Sequence, residues 1–239
     1  MKILFISHFP LTNSDSGEYT TNLAMSLTQM GHECAIVYPE NMDKCEEIDN
    51  VEVFPVFFKN DIKREDQLNF NYPCFNDHIN SKFNFLDMSR KERSEYQEAF
   101  YRKIFEAIYF FQPDIIHSQQ LWTLSGISSV LAEIYGLPLV VTSHGPDLQG
   151  INREHDKGIE WGTVWAHEAY DYASKIISTS NDNKEQLEKE FGKDNKVELI
   201  EDNSITKIEN VYKKLLNSKE KTKWLSFFIC KKSKSKVYL

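Results

Sequence analysis

The 239-residue sequence predicts an α/β fold: a single Rossmann-like domain with a mostly parallel sheet, followed by a C-terminal helix and a tail. Three observations support this prediction. The first forty residues have the pattern of a strand, a helix and a second strand. Short apolar segments then alternate with helical segments as far as Ile200, and these apolar segments lack the polar alternation of half-exposed strands. Strands separated by helices pair in parallel and carry helices on both faces of the sheet.

The first βαβ unit illustrates the pattern. The run from Ile3 to Ile6 is wholly apolar, which is typical of a strand buried in a parallel sheet. A polar loop and Gly17 lead into a helix with apolar residues at helical spacing, Gly31 follows its last turn, and a second strand occupies 33–38. The turn before the helix offers main-chain N–H groups and the positive end of the helix dipole, which together favour an anion.

The later elements continue the alternation up to a final helix. The predicted strands are 51–58, 114–117, 139–142, 175–179 and 196–200, and the predicted helices are 91–111, 121–135, 160–173, 181–191 and 204–219. Residues 59–90 show neither pattern but are rich in aromatic side chains. A segment of this length is functional or mobile, or else it packs its aromatic rings onto the domain. The predicted boundaries are therefore a Rossmann-like domain at 1–203, a helix at 204–219 and a tail at 220–239.

The composition argues against several classes of protein. The chain has no run of about eighteen apolar residues, which a membrane span needs, and no signal-peptide pattern. Its four cysteines show no C-x-x-C spacing, which indicates free thiols in a reducing cytoplasm. It contains no G-x-G-x-x-G motif, no P-loop and no cluster with the spacing of metal ligands. We therefore expect a cytoplasmic protein that uses no metal and no cofactor.

The charge is unevenly spread along the chain. The net charge is −8, but the last 21 residues hold seven lysines and one acid, so residues 1–218 carry −14. An acidic body argues against nucleic acid as a partner, because nucleic-acid binding needs a basic face. In the tail an apolar stretch precedes most of the lysines, so residues 222–239 are candidates for peripheral contact with an anionic inner-membrane surface. The alternative is a disordered end.

Polar segments stand at the carboxyl ends of the predicted strands and in the loop that leads to the first helix. They are residues 7–9, 14–17, 118–122, 143–147 and 178–180. Open parallel sheets bind ligands beyond the carboxyl ends of their strands. We therefore expect these segments to meet on one side of the domain and to form a site there.

Four segments in series resemble a known family. They read S-G-E-Y-T-T-N-L-A-x-x-L-x-x-x-G-H-E from Ser16, P-D-I-I-H-S-Q from Pro113, P-L-V-V-T-S-H-G-P-D-L from Pro138 and I-I-S-T-S-N-x-N-K-E-Q-L from Ile176. In order and spacing they resemble the N-terminal, acceptor-side domain of the family-four, retaining GT-B glycosyltransferases. The resemblance runs from Met1 to about Asn203.

The resemblance implies a catalytic role for His144. This residue matches a histidine at the family's reaction centre, where it contacts the transferring sugar or the acceptor. An imidazole there can donate a hydrogen bond or share a proton at neutral pH. The alternative is a strand-end histidine with a structural hydrogen bond. His8 and His117, which also follow or end strands, are more typical of core or supporting groups.

The resemblance also implies donor and acceptor contacts. Ser16 and Gly17 would lie near the donor diphosphate, with Ser16 in place of the family's usual first glycine; for Gly17 the alternative is a plain helix N-terminal glycine. The acceptor side would be lined by Glu18, Gln119, Trp122 and Asp147, with Trp122 presenting a flat apolar face to a sugar ring.

The second half of the family pattern, a donor-binding domain, has no counterpart in this sequence. After Asn203 the chain passes to I-x-x-V-Y-x-x-L-L from Ile208, which resembles the closing helix of whole enzymes. The implied function is hexosyl transfer from a nucleotide-sugar to a sugar or lipid-linked acceptor, in polysaccharide or glycoconjugate biosynthesis, with a donor-domain partner chain. The alternative is a non-catalytic acceptor- or protein-binding module, or a truncated remnant of such an enzyme.

Overall fold

The computed structural model of the protein describes residues 1–42, 45–61, 64–75, 81–201 and 204–218. In this described part, seven strands form one sheet: β1 (Lys2–Ile6), β2 (Glu33–Glu40), β3 (Val51–Phe57), β4 (Ile115–Gln119), β5 (Leu139–Ser143), β6 (Lys175–Ser178) and β7 (Val197–Leu199). Their order is β3-β2-β1-β4-β5-β6-β7, and every pair is parallel. The predicted Rossmann-like α/β domain is therefore confirmed, with a sheet that is wholly parallel.

Helices connect the strands, and three of them begin at serine caps. They are α1 (Asp15–Gln29), α2 (Arg90–Phe111), α3 (Thr123–Tyr135), α4 (Pro146–Lys157), α5 (Trp161–Tyr172) and α6 (Asn181–Phe191), followed by α7 at 205–218. Serine side chains accept main-chain N–H groups at the starts of α1, α2 and α6, and at α2 Ser89 and Glu92 form a full capping box. Such caps satisfy N–H groups that have no partner within the helix.

The sheet is covered on both faces. On one face α2 to α6 bury a large apolar cluster, and on the other α1 and α7 bury a smaller one. From α7 the side chains of Ile208, Val211 and Tyr212 enter the smaller cluster, and all three are at most 2% exposed. Parallel strands with both faces covered have nearly continuous apolar runs, as in Ile3–Ile6 of β1 and Leu139–Val141 of β5.

Two segments bear on the sequence-based expectations: one is a helix that was not predicted, and the other decides between two alternatives. Helix α4 lies in a polar stretch for which the sequence analysis gave no element. The irregular segment after β3 contains one 3-10 turn, Phe85–Asp87, and packs Phe70, Tyr72, Phe75 and Phe85 into the larger cluster. In its described part this segment therefore covers the core with its aromatic rings, which was one of the two alternatives.

The two edges of the sheet differ in length. At the β3 edge Pro55 has no N–H group to donate, and the main chain of Phe57 accepts a hydrogen bond from Leu68 of the following segment. At the other edge β7 has three residues.

Among the described residues no helix is long and apolar enough to cross a bilayer. The tail at 220–239, with the expected membrane contact at 222–239, lies outside the described residues.

Candidate functional site

The carboxyl ends of the strands meet at one rim, as the sequence predicted. The chain leaves β1 for β2 on one side and returns at β4 on the other, and such a switch point is where doubly wound sheets bind ligands. Hydrogen bonds join the strand ends there. His8 Nδ1 lies 2.6 Å from the main-chain oxygen of Gln119, His144 Nε2 lies 2.9 Å from Gln119 Oε1, and Thr179 Oγ1 lies 3.4 Å from the main-chain oxygen of Ser143.

His144 stands in the loop after β5 and is held on two sides. Its Nε2 donates to Gln119 Oε1, and the ring of Tyr19 on α1 meets it edge to face with centroids 5.0 Å apart and planes at 78°. The side chain of His144 is half-buried, and burial lowers its pKa to about 4. The imidazole is therefore neutral at pH 7. Because Nε2 carries the proton, Nδ1 keeps its lone pair, and it has no hydrogen-bond partner among the described residues.

His8 is a structural residue of the rim. Its Nδ1 donates to the Gln119 main-chain oxygen, and its Nε2 accepts the N–H of Leu124 at 3.0 Å. Both ring nitrogens are therefore occupied, and only the neutral ring makes both bonds. Burial lowers the pKa of His8 to about 3, with the Gln119 carbonyl acting in the opposite direction. His8 thus fixes the main chain of the residue whose side chain holds His144.

Asp147 connects the loops after β4 and β5. One carboxylate oxygen accepts the N–H of Leu121 at 2.7 Å and the other accepts the N–H of Gly145 at 2.8 Å. Gly145 has a φ of 100°, a conformation that favours glycine, so the carboxylate stabilises a turn directly after His144. Asp147 is fully buried, and burial raises its pKa while the hydrogen bonds oppose the rise. Its position suits it to fixing this loop rather than to touching an acceptor.

The turn before α1 packs tightly and faces β4. Ser14 Oγ accepts the N–H of Gly17 at 3.0 Å and donates to the Pro10 carbonyl at 2.6 Å. A Cβ on Gly17 would lie 1.9 Å from that carbonyl oxygen, so the turn has no room for a side chain there. The Gly17 amide therefore caps its own helix. Ser16 Oγ accepts from Gln120 Nε2 at 3.5 Å, which links this turn to the end of β4.

Trp122 does not line the rim, contrary to the sequence-based expectation. Its side chain is 0% exposed and packs edge to face against Phe75 and Phe85, with centroids 5.2 and 6.0 Å apart. A Cβ on Gly162 would lie 2.0 Å from the indole, so α5 presses against this ring. The indole has no face open to a sugar, because it fills the core beneath the site.

Comparison with known proteins identifies the family. The model of Glycosyltransferase Family 4 matches residues 16–201. The chain belongs to glycosyltransferase family 4. By family its domain is of the retaining GT-B type, and the family implies a sugar-nucleotide donor and an acceptor as substrates. The resemblance drawn from the four sequence segments is thereby confirmed. No curated protein matches the sequence.

Solved structures support the fold of this family 4 domain. One chain of sucrose-phosphate synthase from Thermosynechococcus elongatus matches with a TM-score of 0.57 and 14% identity, over 90% of this chain and 99% of that one. A second chain of the same synthase matches with a TM-score of 0.58 and 13% identity, over 84% of this chain but 48% of its own. The family 4 chain thus spans about half the length of the second synthase chain and corresponds to one half of a GT-B fold.

Tyr19 is a site residue of the family 4 domain that the sequence analysis did not single out. It touches His144, and its pKa is raised to about 12 by burial, with a hydrogen bond to Thr142 opposing the rise. A signal was present, because Tyr19 precedes Leu23 by one helical turn on the apolar face of α1. Tyr19 and the exposed Glu18 line a groove of about 310 Å³ between α1 and the start of α7.

Larger grooves lie away from these residues. Grooves of about 560 and 640 Å³ flank the ends of β2 and β3 and contain none of the predicted site residues. Within the described residues no three His, Cys, Asp or Glu side chains are grouped so as to hold a metal ion. The rim around His144 combines a neutral imidazole, strand ends and a helix N-terminus, and so remains the candidate site of this family 4 domain.

Proposed function

We propose that this chain supplies the acceptor-side half of a retaining glycosyltransferase, which transfers a hexosyl group from a nucleotide-sugar to a sugar or lipid-linked acceptor. The observation that carries the proposal is the position of His144. It stands at the switch-point rim of a family 4 domain, with its ring fixed by Gln119 and Tyr19 and its Nδ1 without a partner. In this role the neutral ring accepts a hydrogen bond from a hydroxyl of the sugar or the acceptor.

The donor diphosphate is proposed to lie beside the turn at Ser16 and Gly17. Support comes from the start of α1, a helix of 15 residues with its positive end at the rim. The hydrogen bond from Gln120 to Ser16 draws this end towards β4 and therefore towards His144. Since the Gly17 amide is used by Ser14, the role of Gly17 is to let the turn approach Pro10 closely, and Ser16 is the residue left to face the phosphates.

The acceptor is proposed to lie along Glu18 and Gln119. Glu18 is exposed and lines the groove beside α1, and Gln119 holds the imidazole through its amide oxygen. The Gln119 amide nitrogen is buried and has no hydrogen-bond partner within the described part of the chain. Asp147 contributes through the loop that it fixes, and Trp122 through the core beneath.

The proposed enzyme needs a donor-binding partner. Transfer depends on stabilising the leaving diphosphate in a site from which water is excluded. The rim of this half is open, and the chain spans 48% of the longer synthase chain. A donor domain on a partner chain would close over the strand ends, so we expect little or no turnover by this chain alone.

The test is an assay of nucleoside diphosphate release from nucleotide-sugars. The full chain is assayed alone and with a donor-domain chain encoded in a neighbouring reading frame. Release is expected only in the mixture, and His144→Ala should lower it by about 100-fold or more. The control is His155→Ala, which changes an exposed histidine on α4 and should leave release unchanged. An active mixture that is insensitive to His144→Ala would remove the catalytic assignment.

A non-catalytic acceptor- or protein-binding module, or a remnant, is the second candidate function. The observation that favours it is the same half-length match, because a lone half cannot enclose a donor. Saccharide binding to the chain, without release in any mixture, is the outcome that supports the module. The absence of a donor-domain sequence in the neighbouring reading frames supports the remnant.

A further inference from the structure

A buried chain of polar side chains runs from α7 to His144. The Tyr212 hydroxyl bonds to His117 Nδ1, and His117 Nε2 lies 2.7 Å from Thr142 Oγ1. The Thr142 hydroxyl also lies close enough to the hydroxyl of Tyr19 to lower the pKa of that phenol, and the Tyr19 ring meets His144. Tyr212, His117 and Thr142 are each 0% exposed. Four separate elements, α7, β4, β5 and α1, therefore contribute to one polar path through the smaller apolar cluster.

The hydrogen bonds along this path constrain one another. A threonine hydroxyl has a single proton to donate. If Thr142 donates to Tyr19, then His117 must donate to Thr142 through Nε2, and its Nδ1 must accept from Tyr212. Burial, together with the nearby His144, lowers the pKa of His117 to about 3, so the ring is neutral and holds one proton for its two nitrogens. Removing the Tyr212 hydroxyl leaves Nδ1 unpaired and frees His117 to change tautomer.

Packing alone does not require this path. The smaller cluster is otherwise made mostly of aliphatic residues and tyrosine rings, and an apolar side chain at 117 would fill the same layer. A buried polar network is costly when it is incomplete, and it specifies one arrangement of its members when it is complete. The arrangement specified here ends at the two rings, Tyr19 and His144, that face each other at the rim.

We propose that Tyr212 is a positioning residue for His144: the phenol of α7 fixes His117 and Thr142, and through them the Tyr19 ring that braces the imidazole. The docking of α7 thereby influences the geometry of a residue in the loop after β5. The inference rests on the proposed function, which gives His144 its place at the reaction centre. It predicts that the arrangement of the His144 ring, and therefore the environment of its two nitrogens, changes when α7 loses the Tyr212 hydroxyl group.

The test reads the His144 imidazole directly in the full chain, without donor or acceptor. The two ring nitrogens are followed by ¹⁵N NMR at pH 7, and their signals are assigned by their loss in His144→Gln. In the native protein we expect a single tautomer, with the proton on Nε2. In Tyr212→Phe the two signals should shift and broaden, because Tyr19 no longer holds the ring in one arrangement and its bond to Gln119 becomes less regular. Thr142→Val, which breaks the same path at its middle, should give the same result.

The matched control is Tyr96→Phe. Tyr96 is also buried, but its hydroxyl has no hydrogen-bond partner among the residues that the structure describes, so its removal should leave the His144 signals unchanged. Thermal unfolding confirms that each variant is folded; if Tyr212→Phe does not fold, Thr142→Val carries the test. Unchanged His144 signals in the folded variants overturn the inference, as does an effect of Tyr212→Phe that Thr142→Val lacks. Neither outcome bears on nucleotide-sugar turnover, so the two proposals fail separately.

Discussion

Two fully buried histidines show how hydrogen-bond partners select a protonation state. His8 donates from Nδ1 to a carbonyl and accepts a main-chain N–H at Nε2. A second proton on Nε2 would face the N–H of Leu124 and break that bond. His117 sits between two hydroxyl groups, which adapt to either tautomer but not to a charged ring without rearrangement. Burial lowers the pKa of both to about 3.

These shifts predict a loss of stability in mild acid. Both folded-state pKa values, about 3, lie below the ordinary value of 6.5, so the unfolded chain takes up protons first as the pH falls. The stabilising effect is complete above pH 6.5 and decreases as the pH falls from 6.5 towards 3. Each of these two histidines contributes about 1.4 kcal/mol per pH unit in this window, or about 4 kcal/mol for both at pH 5. His144, whose pKa burial lowers to about 4, adds to the same fall.

Urea unfolding at pH 7.5, 6 and 5 checks the prediction. The free energy of unfolding should fall steeply over this range. An unfolding free energy that is flat between pH 7.5 and pH 5 would contradict the neutral, buried state of both rings.

At the residue scale, the sequence showed which residues stand at the rim but not which way they face. Gln119, His144 and Asp147 follow apolar strands, and that position alone predicted their rim location. Trp122 follows β4, as Gln119 was predicted to do, yet its indole points into the core. Gly162 and two phenylalanines leave a space there that fits the ring. Such a space is created by elements distant in sequence, so no local pattern predicts it.

At the scale of elements, α4 and α5 form a unit joined by one carboxylate. The N-cap residue of α5, Glu160, makes no side-chain cap bond. Glu154 of α4 takes that role: it accepts the N–H of Gly162 at 3.0 Å and, at 2.8 and 2.9 Å, the N–H and hydroxyl of Thr163. Helix α4 is thus needed to begin α5, and α5 in turn packs against Trp122 beneath the site.

Removing the Glu154 carboxylate should destabilise the pair formed by α4 and α5. Glu154→Ala leaves three buried donors unpaired, so we expect the free energy of unfolding to fall by about 3 kcal/mol. Glu160→Ala is the matched control, because it removes an exposed acid at the same helix start and should cost less than about 0.5 kcal/mol. Chemical unfolding followed by circular dichroism measures both. Equal losses in the two variants would show that Glu154 does not cap α5 in solution.

Helix α4 also shows why element prediction failed in one place. Its sequence is mostly polar, and only Leu148 and Ile151 among its larger apolar side chains enter the core, so the apolar spacing is weak. Its end signals were nevertheless present: Pro146 stands in the first turn and Gly158 ends the helix with a φ of 63°. Helix α6 is also mostly polar, yet it was predicted with the bounds that the structure gives, Asn181–Phe191.

At the scale of the whole molecule, α7 closes the smaller of two cores. Its first turn meets the groove beside α1, and Leu215, further along, packs against the smaller cluster. His32 Nε2 lies 2.9 Å from Glu209 Oε1, which joins the middle of the helix to the start of β2, and within the helix Lys213 Nζ bonds to the same oxygen at 2.6 Å. The apolar side chains that β1 and β4 contribute to the smaller cluster stay buried because α7 covers them.

We expect Ile208→Ala to lower the free energy of unfolding by about 3 kcal/mol, the usual loss when a fully buried isoleucine is truncated. The control on the same helix is Asn210→Ala, which changes an exposed residue and should have little effect. Urea unfolding of the two variants gives the comparison. If they behave alike, α7 does not pack on the domain in solution, and the proposed role of Tyr212 falls with it.

The β3 edge of the sheet has a consequence for self-association. Pro55 interrupts the row of donors along that margin, and the segment around Leu68 already occupies the carbonyl of Phe57. A second copy therefore cannot extend the sheet by adding a strand along its whole length, and β7 at the far side offers three residues at most. Polymerisation by strand addition is thus disfavoured. A second protein would bind through side chains instead, for example at the open rim.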